Sequence, residues 1–340
     1  MPKARRRPKP QQAMLDLITG YWVSQMVFVA AKLGIADTLA KGPKTAAAVA
    51  AEVGAHAPFV YRVLRALASA GVFAETANGR FRLTPTAATL RSGVPGSLRD
   101  FALMILDDYN WKAWGDLLHG VETGEVAFQH LYGQPFFEFL VANPEKERTF
   151  AASMASISGA ENEAIARAYD FGRFARLVDV GGAHGHLLAT ILRRHRRLRG
   201  VLYDQPQVVG GAAARGFFRG LESRIETAGG DFFASVPAGA DGYMMKYIVH
   251  DWDDDRCVRL LSLCREAMAP GGRVLVVENV IEPGNRPSWG KLLDVNMLAL
   301  LTGKERTKAE FKELLGRAGL RLRRVVPTAS PISIVEATAA

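Results

Sequence analysis

LVDVGGAHG (177–185) is the stretch of sequence that decides the fold of this chain. Its apolar first half predicts a buried strand, and its glycines let the backbone turn sharply and approach a ligand closely. Further short apolar runs follow along the chain, separated by segments of helical pattern. Short apolar strands that alternate with helices predict a parallel, doubly wound α/β sheet with a ligand at the carboxyl ends of its strands. The predicted strands are Leu177–Val180, Val201–Tyr203, Tyr243–Met245 and Val274–Val277.

Carboxylates accompany three successive strands of this predicted sheet. After Asp179 in the first strand, Asp204 follows the second and can accept both hydrogen bonds of a ribose diol. Asp231 follows the third strand and can hold an adenine amino group beside Phe232. Each carboxylate alone is also typical of a helix N-cap. Three in succession favour a nucleoside ligand instead.

The glycine turn does not fit a pyrophosphate ligand. Counted from Gly181, the third and sixth positions of the dinucleotide fingerprint hold Ala183 and His186 instead of glycine. The turn also lacks the lysine-serine pair of a phosphate-binding loop. The predicted nucleoside ligand is therefore expected to lack a pyrophosphate group.

Residues 13–98 show the pattern of a winged helix. A helix over 45–53 stops at Gly54, a second runs from about Pro58 to Ala70, and strands at 72–75 and 80–83 flank an Asn-Gly turn. A winged helix can bind DNA, but the second helix offers only Arg62 and Arg65 as exposed cations beside a broad apolar face. This composition favours a protein–protein role.

The chain has 340 residues, a net charge of +9 and 49% hydrophobic residues, which is ample for two domains. The apolar stretch Leu17–Ala31 is expected to be too short to cross a bilayer and to be buried against another protein surface. The basic run RRHRRLRG (193–200) fits a nucleic-acid patch or, more simply, cations at a helix end. Cys257 and Cys264 share one helix face in the core, which fits a reducing cytoplasm. We predict a disordered basic tail (1–12), the winged-helix domain (13–98), connecting helices that line a pocket (99–165) and the sheet domain (166–340).

Three later segments carry a resemblance to a known family: KYIVHDW (246–252), APGGRVLVVENVI (269–281) and LLDVNMLALLTGKERTKAEF (292–311). With the glycine turn, they resemble the plant caffeate-type and bacterial small-molecule O-methyltransferases, from about residue 14 to 338. The resemblance implies a Rossmann-like domain that binds S-adenosyl-L-methionine (SAM) and releases S-adenosyl-L-homocysteine, with no metal. It also implies an N-terminal domain that forms an intertwined homodimer, and an aromatic small molecule of secondary metabolism as methyl acceptor, with no membrane or nucleic-acid partner.

The resemblance also assigns the site residues. It makes His250 the general base, flanked by Glu278 and Glu305. The implied cofactor residues are Gly181, Asp204, Asp231, Phe232, Lys246 and Ser158. The implied acceptor residues are Met104, Phe150, Met154, Asp251, Asn296 and Met297. Two positions depart from the family: Ala183 replaces a common glycine, and Tyr247 stands where plant members often have tryptophan.

The expected chemistry is attack of an acceptor oxygen on the sulfonium methyl while His250 takes the proton. A phenol has a pKa of about 10 and histidine of about 6.5, so full transfer is uphill by about 5 kcal/mol unless the site stabilises the ion pair. Two carboxylates beside the imidazole can do so. N-methylation or diverted chemistry on the same fold stays open, and a nucleic-acid-modifying or DNA-binding protein is a further alternative from another class.

Overall fold

The computed structural model describes residues 9–211 and 216–340. The chain divides into two compact units: Met1–Trp111 with Asn143–Ile157, and Lys112–Ala142 with Ser158–Ala340. The predicted connecting region 99–165 is thus shared between the units. Residues 1–8 of the predicted disordered tail lie outside the described residues. The first helix already begins at Pro10, inside the predicted tail, because proline at a first helical position loses no backbone hydrogen bond.

The helices and strands of the described residues are as follows. The helices are α1 Pro10–Lys32, α2 Ile35–Leu39, α3 Ala46–Val53, α4 Ala57–Ser69, α5 Pro85–Ala88, α6 Arg99–Ile105, α7 Asp108–Gly115, α8 Leu117–Thr123, α9 Ala127–Tyr132, α10 Phe136–Ala142, α11 Pro144–Ala168, α12 His186–Arg194, α13 Pro206–Gly210, α14 Asp254–Ala267, α15 Trp289–Leu300 and α16 Lys308–Arg317. The strands are β1 Lys44–Thr45, β2 Phe73–Glu75, β3 Arg80–Leu83, β4 Arg176–Val180, β5 Arg199–Asp204, β6 Ile225–Gly229, β7 Gly242–Lys246, β8 Arg273–Ile281, β9 Arg306–Thr307, β10 Leu320–Pro327 and β11 Ile332–Ala339.

The first unit contains the predicted pair of helices followed by a hairpin. Helix α3 ends at Gly54 in the left-handed conformation, and β2 and β3 form an antiparallel pair that β1 extends. Helix α4 buries Val60, Leu64 and Leu67, which share one face at helical spacing. The predicted helices and hairpin are confirmed to within a residue or two at their ends.

Helix α1 is longer than its apolar sequence suggested. It runs for 23 residues and, by length and composition, could cross a membrane, which corrects the expectation that this stretch is too short. Helices of soluble cores and signal sequences meet the same criterion. Within the first unit, α1 leaves several large apolar side chains exposed: Met14, Leu15, Leu17, Ile18, Tyr21, Trp22, Val23 and Val29.

The second unit is built on one sheet with the order β10-β11-β8-β7-β4-β5-β6. Strands β8, β7, β4, β5 and β6 are parallel, as predicted, whereas β10 and β11 pair antiparallel at one end. The chain order reverses direction between β4 and β7, which creates the crevice where doubly wound sheets bind ligands. Two apolar cores cover the two faces of the sheet.

The two cysteines and the basic run 193–200 of this unit have structural roles. Cys257 and Cys264 are free thiols in the core, and burial raises the pKa of each to about 12. Arg193 and Arg194 lie in the last turn of α12, where Arg193 donates to the Phe217 carbonyl. Arg199 begins β5 and donates to the Ser223 carbonyl. These contacts favour the helix-end interpretation of the basic run.

Candidate active site

Five parallel strands of the second unit bring their carboxyl ends to one edge of the sheet. The glycine turn follows β4, Asp204 ends β5, Asp231 follows β6, Lys246 ends β7, and Glu278 lies near the end of β8. Strands β4 and β7 are neighbours at the point where the strand order reverses. The residues predicted from separate motifs are therefore assembled at the edge where a ligand is expected.

The glycine turn is packed too tightly for side chains. Gly181 has φ of 67°, and a Cβ there would strike the Ile248 side chain. A Cβ on Gly182 would lie 2.7 Å from the Asp179 carboxylate. Ala183, the family departure, has φ of 49° and so adopts a conformation that costs a non-glycine residue about 1–2 kcal/mol. The turn thus keeps its backbone exposed to a ligand despite carrying an alanine.

Asp204 is held in place by the backbone of the same turn. Its Oδ2 accepts a hydrogen bond from the Ala183 amide at 2.8 Å, and its Oδ1 accepts one from the Gln205 amide at 2.7 Å. Burial raises the pKa of Asp204, and these two amide bonds oppose that rise. Each carboxylate oxygen can accept a second hydrogen bond, so a diol could be bound without disturbing the turn.

Asp231 is more exposed and caps its own turn. Its Oδ1 accepts from the Phe233 amide at 2.8 Å, a contact within a turn that is similar to the N-cap alternative for a single carboxylate. Phe232 next to it lies 3.7 Å from the position of a Cβ on Gly181. The pair therefore stands beside the glycine turn, although Asp231 also has a local structural role.

Asp179 is a buried carboxylate that the motif analysis used only to mark the first strand. It is 2% exposed, and its Oδ2 has no hydrogen-bond partner among the described residues. Burial and the neighbouring Asp204 charge raise the pKa of Asp179 to about 7, while Lys246 opposes them. An unsatisfied buried acceptor beside a glycine turn is a position where a ligand donor would be stabilised.

Lys246 lies in a pocket of acceptors supplied by α11. Its Nζ is 2.9 Å from Glu161 Oε2, 3.1 Å from Asn162 Oδ1 and 3.3 Å from Ser158 Oγ. Burial lowers the pKa of Lys246, and Glu161 counteracts this shift. Ser158, predicted as a cofactor residue, is thus a neighbour of Lys246, and its role toward a cofactor stays a prediction.

His250 is 6% exposed and is surrounded by carboxylates. Its Nδ1 lies 2.7 Å from Glu305 Oε1, and its Nε2 lies 3.3 Å from Asp251 Oδ1. Glu278 takes a different place: its Oε1 accepts from the backbone amide of His250 at 3.0 Å. The predicted pair of flanking glutamates therefore divides into one partner for the ring and one for the main chain.

These contacts shift the protonation of the whole cluster. Burial lowers the pKa of His250, but Asp251 and Glu305 outweigh that effect and raise it to about 10. Burial raises the pKa of Asp251 to about 6, against the opposing effect of His250. Burial also raises the pKa of Glu278 to about 7. The imidazole of His250 is therefore far more basic than an ordinary histidine.

Tyr247 connects the cofactor side of the site with His250. It is one of two non-glycine residues with positive φ in the described parts of the chain, at 55°, and the other is Ala183. Its ring stacks on the His250 ring with centroids 5.1 Å apart, and its hydroxyl donates to Glu161 at 3.0 Å. Both strained residues thus lie in the candidate site, where such strain tends to concentrate.

The predicted acceptor residues belong to both units. In the second unit, Asn296 and Met297 are buried on α15, and Asn296 Oδ1 accepts from the Trp114 indole at 2.9 Å. From the same helix, Asp294 accepts the Glu305 amide at 2.8 Å and so anchors the partner of His250. Met104, Phe150 and Met154 lie in the first unit, and their predicted place in the acceptor pocket stays a prediction.

Several residues of the site escaped the sequence analysis. Glu161 and Asn162 follow Ser158 at the spacing of three and four residues that places side chains on one helix face, so this signal was present.

Across 9–211 and 216–340, no cluster of three or more histidine, cysteine, aspartate or glutamate side chains could hold a metal ion.

Comparison with known proteins identifies the family. Residues 114–321 match the O-methyltransferase domain, and residues 15–93 match the O-methyltransferase dimerisation domain. The chain is 47% identical to the phenazine O-methyltransferase PhzM of Lysobacter antibioticus over 95% of both chains. A crystal structure of LaPhzM superposes with a TM-score of 0.93, at 46% identity over 98% of this chain and 100% of that one.

Further similar proteins include both an N-methyltransferase and an O-methyltransferase. The phenazine-1-carboxylate N-methyltransferase of Pseudomonas aeruginosa is 34% identical over 92% of both chains. NcsB1, an O-methyltransferase from neocarzinostatin biosynthesis, was solved with S-adenosyl-L-homocysteine and 1,4-dihydroxy-2-naphthoic acid. It has a TM-score of 0.80 at 36% identity and covers 93% of this chain and 96% of its own. The chain is therefore a SAM-dependent methyltransferase of secondary metabolism and belongs to the O-methyltransferase family that carries an N-terminal dimerisation domain.

Proposed function

We propose that this enzyme transfers the methyl group of SAM to an aromatic hydroxyl of a small, polycyclic molecule, with His250 as the general base. The observation that carries the proposal is the short contact between His250 Nδ1 and Glu305 Oε1, at 2.7 Å. This contact fixes the orientation of the ring. With the Nδ1–H group donating a hydrogen bond to Glu305, Nε2 is the ring atom that can take the proton of the substrate hydroxyl.

The strand-end residues suit a cationic nucleoside cofactor. We assign Asp204, which the Ala183 amide holds in place, to the ribose diol, and Asp231 with Phe232 to the adenine. The unsatisfied Asp179 carboxylate is assigned to an ammonium group of the cofactor. When bound, SAM supplies an electrophilic methyl on a sulfonium centre. The carboxylates Asp179, Asp204 and Glu161 more than balance the Lys246 ammonium, so a positively charged ligand would be stabilised there.

Asp204→Ala is expected to weaken SAM binding about 10- to 100-fold, because it removes charge-assisted hydrogen bonds to the ribose. Isothermal titration with SAM measures the dissociation constant directly. Glu226→Ala is the matched control, since Glu226 lies on the neighbouring strand β6 and pairs with Arg176 at 2.9 Å. An unchanged dissociation constant for Asp204→Ala would remove the ribose assignment.

The carboxylates around His250 solve the energetic problem of deprotonating a phenol. An ordinary histidine is about 3.5 pKa units less basic than a phenolate. Asp251 and Glu305 bring the pKa of His250 to about 10, which matches that of a phenol. Proton transfer from the acceptor to Nε2 is then close to thermoneutral and can accompany methyl transfer, which otherwise requires mainly positioning.

The same basicity favours oxygen over nitrogen as the methylated atom. A neutral amine attacks without losing a proton first, so it has no need for an imidazole whose pKa is raised. The phenazine O-methyltransferase and NcsB1 supply the aromatic character of the proposed acceptor, and the phenazine N-methyltransferase supplies the alternative. Nothing in the site favours diverted chemistry or nucleic-acid modification.

The exposed apolar residues of α1 support a homodimer. Leu17, Ile18 and Trp22 are 75%, 59% and 56% exposed, and the helix lies within the dimerisation domain match. A helix with such a surface is stable in water only when another surface covers it. We assign a second copy of the chain to that role, and a cytoplasmic location fits the two free, buried thiols.

Leu17→Lys combined with Trp22→Lys is expected to convert the dimer into monomers, because two charges would have to be buried in the interface. Sedimentation velocity over a range of protein concentrations measures the change. Gln11→Lys, at an exposed polar position of the same helix, is the control and should stay dimeric. A double variant that remains a dimer at low micromolar concentration would rule out this interface.

A further inference from the structure

Arg306 is a cation that the proposed chemistry does not use, yet it is 1% exposed and carries a large set of hydrogen bonds. Its Nη1 donates to the Val249 carbonyl at 3.0 Å and to the Lys304 carbonyl at 3.1 Å. Its Nη2 donates to Asp254 Oδ1 at 2.8 Å and to the Trp252 carbonyl at 3.3 Å. A buried guanidinium with such a planar set of acceptors fixes the geometry of what surrounds it.

Two of these acceptors enclose the base. Val249 and Trp252 are the residues immediately before and after the His250–Asp251 pair, and both of their carbonyls point to one guanidinium. The 3-10 turn Val249–Asp251 is only three residues long, so it has few hydrogen bonds of its own. Arg306 therefore supplies an external brace for the turn that carries His250.

Arg306 also follows Glu305 directly in the chain, and the same segment presses against the turn. A Cβ on Gly303 would collide with the His250 carbonyl oxygen and lie 2.5 Å from the Trp252 nitrogen. The segment Gly303–Arg306 thus contacts the backbone of the base at Gly303 and its ring at Glu305. The Arg306 side chain binds this segment to the His250 turn through the Val249 and Trp252 carbonyls.

We propose that Arg306 is a positioning residue that holds the His250 turn in register with Glu305, so that the hydrogen bond between the imidazole and the carboxylate is kept. The inference rests on the proposed function, because it assigns His250 as the base. The charged and titratable groups that face His250 are Tyr247, Asp251, Glu278 and Glu305. Arg306 contacts the main chain of the turn instead of the imidazole ring.

Arg306→Lys tests the proposal, because lysine keeps the charge but has three donors on one atom, whereas the five-donor fork of arginine reaches three carbonyls and a carboxylate. We expect kcat to fall about 10²-fold, as for a misplaced catalytic group. The SAM dissociation constant should stay within about twofold. The ascending limb of the pH–rate profile, where His250 loses its proton, should move to lower pH as the Glu305 contact loosens. Lys304→Ala is the matched control: Lys304 also pairs with Asp254, at 2.9 Å, and should leave both readouts unchanged.

The outcomes separate a positioning role from a structural one. Arg306→Lys with wild-type kcat and an unmoved pH limb would overturn the proposal, even if its melting temperature fell. If that variant does not fold, Asp254→Asn gives the same readout, since Asp254 is 35% exposed and is the outer partner of Arg306. It should lower kcat about tenfold with SAM binding retained, and wild-type kcat would overturn the proposal. His250→Ala in the same assay tests the proposed function separately. If the His250→Ala enzyme keeps its turnover, the proposed function fails. If His250→Ala loses turnover while Arg306→Lys stays fully active, only the positioning role of Arg306 is removed.

Discussion

His250→Ala is expected to lower kcat about 10²- to 10⁴-fold while leaving SAM binding nearly unchanged. The range is that expected when a general base is removed. The cofactor should still bind, since none of Asp204, Asp231 and Lys246 contacts the His250 ring in the described structure. Single-turnover assays with saturating SAM measure the methyl-transfer step itself.

A histidine outside the site provides the control for this variant. His119 is partly exposed on α8 and pairs with Glu125 at 3.1 Å, so His119→Ala should retain full turnover. A His250→Ala enzyme that methylates its acceptor at the wild-type rate would remove His250 from the mechanism. Loss of SAM binding together with turnover would instead indicate that the variant had damaged the fold.

The second large effect is on the pH dependence. His250 must be neutral to act as a base, and its pKa of about 10 keeps it protonated at neutral pH. Below that pKa, the neutral fraction rises tenfold per pH unit, so kcat/KM should increase about 100-fold between pH 7 and pH 9. Glu305→Gln removes the anionic partner of Nδ1, which lowers the pKa of His250 and moves this limb to lower pH.

Two controls distinguish this limb from titration of the acceptor. An acceptor hydroxyl of lower pKa would shift the profile equally in the wild type and in Glu305→Gln, whereas the enzyme limb moves only in the variant. Glu163→Gln, at an exposed glutamate of α11, should leave the profile unchanged. A limb that stays in place in Glu305→Gln would contradict the assignment of Glu305 as the partner that makes His250 basic.

The central sheet and the small helical unit followed largely from the sequence. Apolar runs of three or four residues between helices favour a parallel sheet covered on both faces, and β4, β5, β7 and β8 contain the four predicted runs. The antiparallel pair β10 and β11 was not anticipated, because β10 (LRLRRVVP) is largely exposed and rich in arginine, so it lacks the continuous apolar run by which the other strands were predicted. The start of α1 at Pro10 was missed because the end of the predicted tail, at residue 12, was chosen from the basic residues and not from the proline that opens the helix.

The sequence could predict those site residues that belong to a single motif at the end of one strand. Asp204 ends β5, Lys246 ends β7 and His250 lies on the turn after β7, while the roles that the family resemblance gives them stay predictions. Contacts across long sequence separations could not be predicted: Glu161 reaches Tyr247 across 86 residues, and Arg306 reaches Val249 across 57. Nor could sequence decide that Glu278 would bind the backbone of His250 instead of its ring.

The most direct test of base-assisted O-methylation uses a polycyclic aromatic hydroxyl and its amine counterpart on the same ring. The release of S-adenosyl-L-homocysteine and the position of the new methyl group are measured with wild type and His250→Ala. The account predicts release with the hydroxyl only, an O-methyl product, and loss of both in the variant. Methylation of the amine at a rate independent of His250, with no methylation of the hydroxyl, would contradict the account and assign the enzyme to nitrogen chemistry.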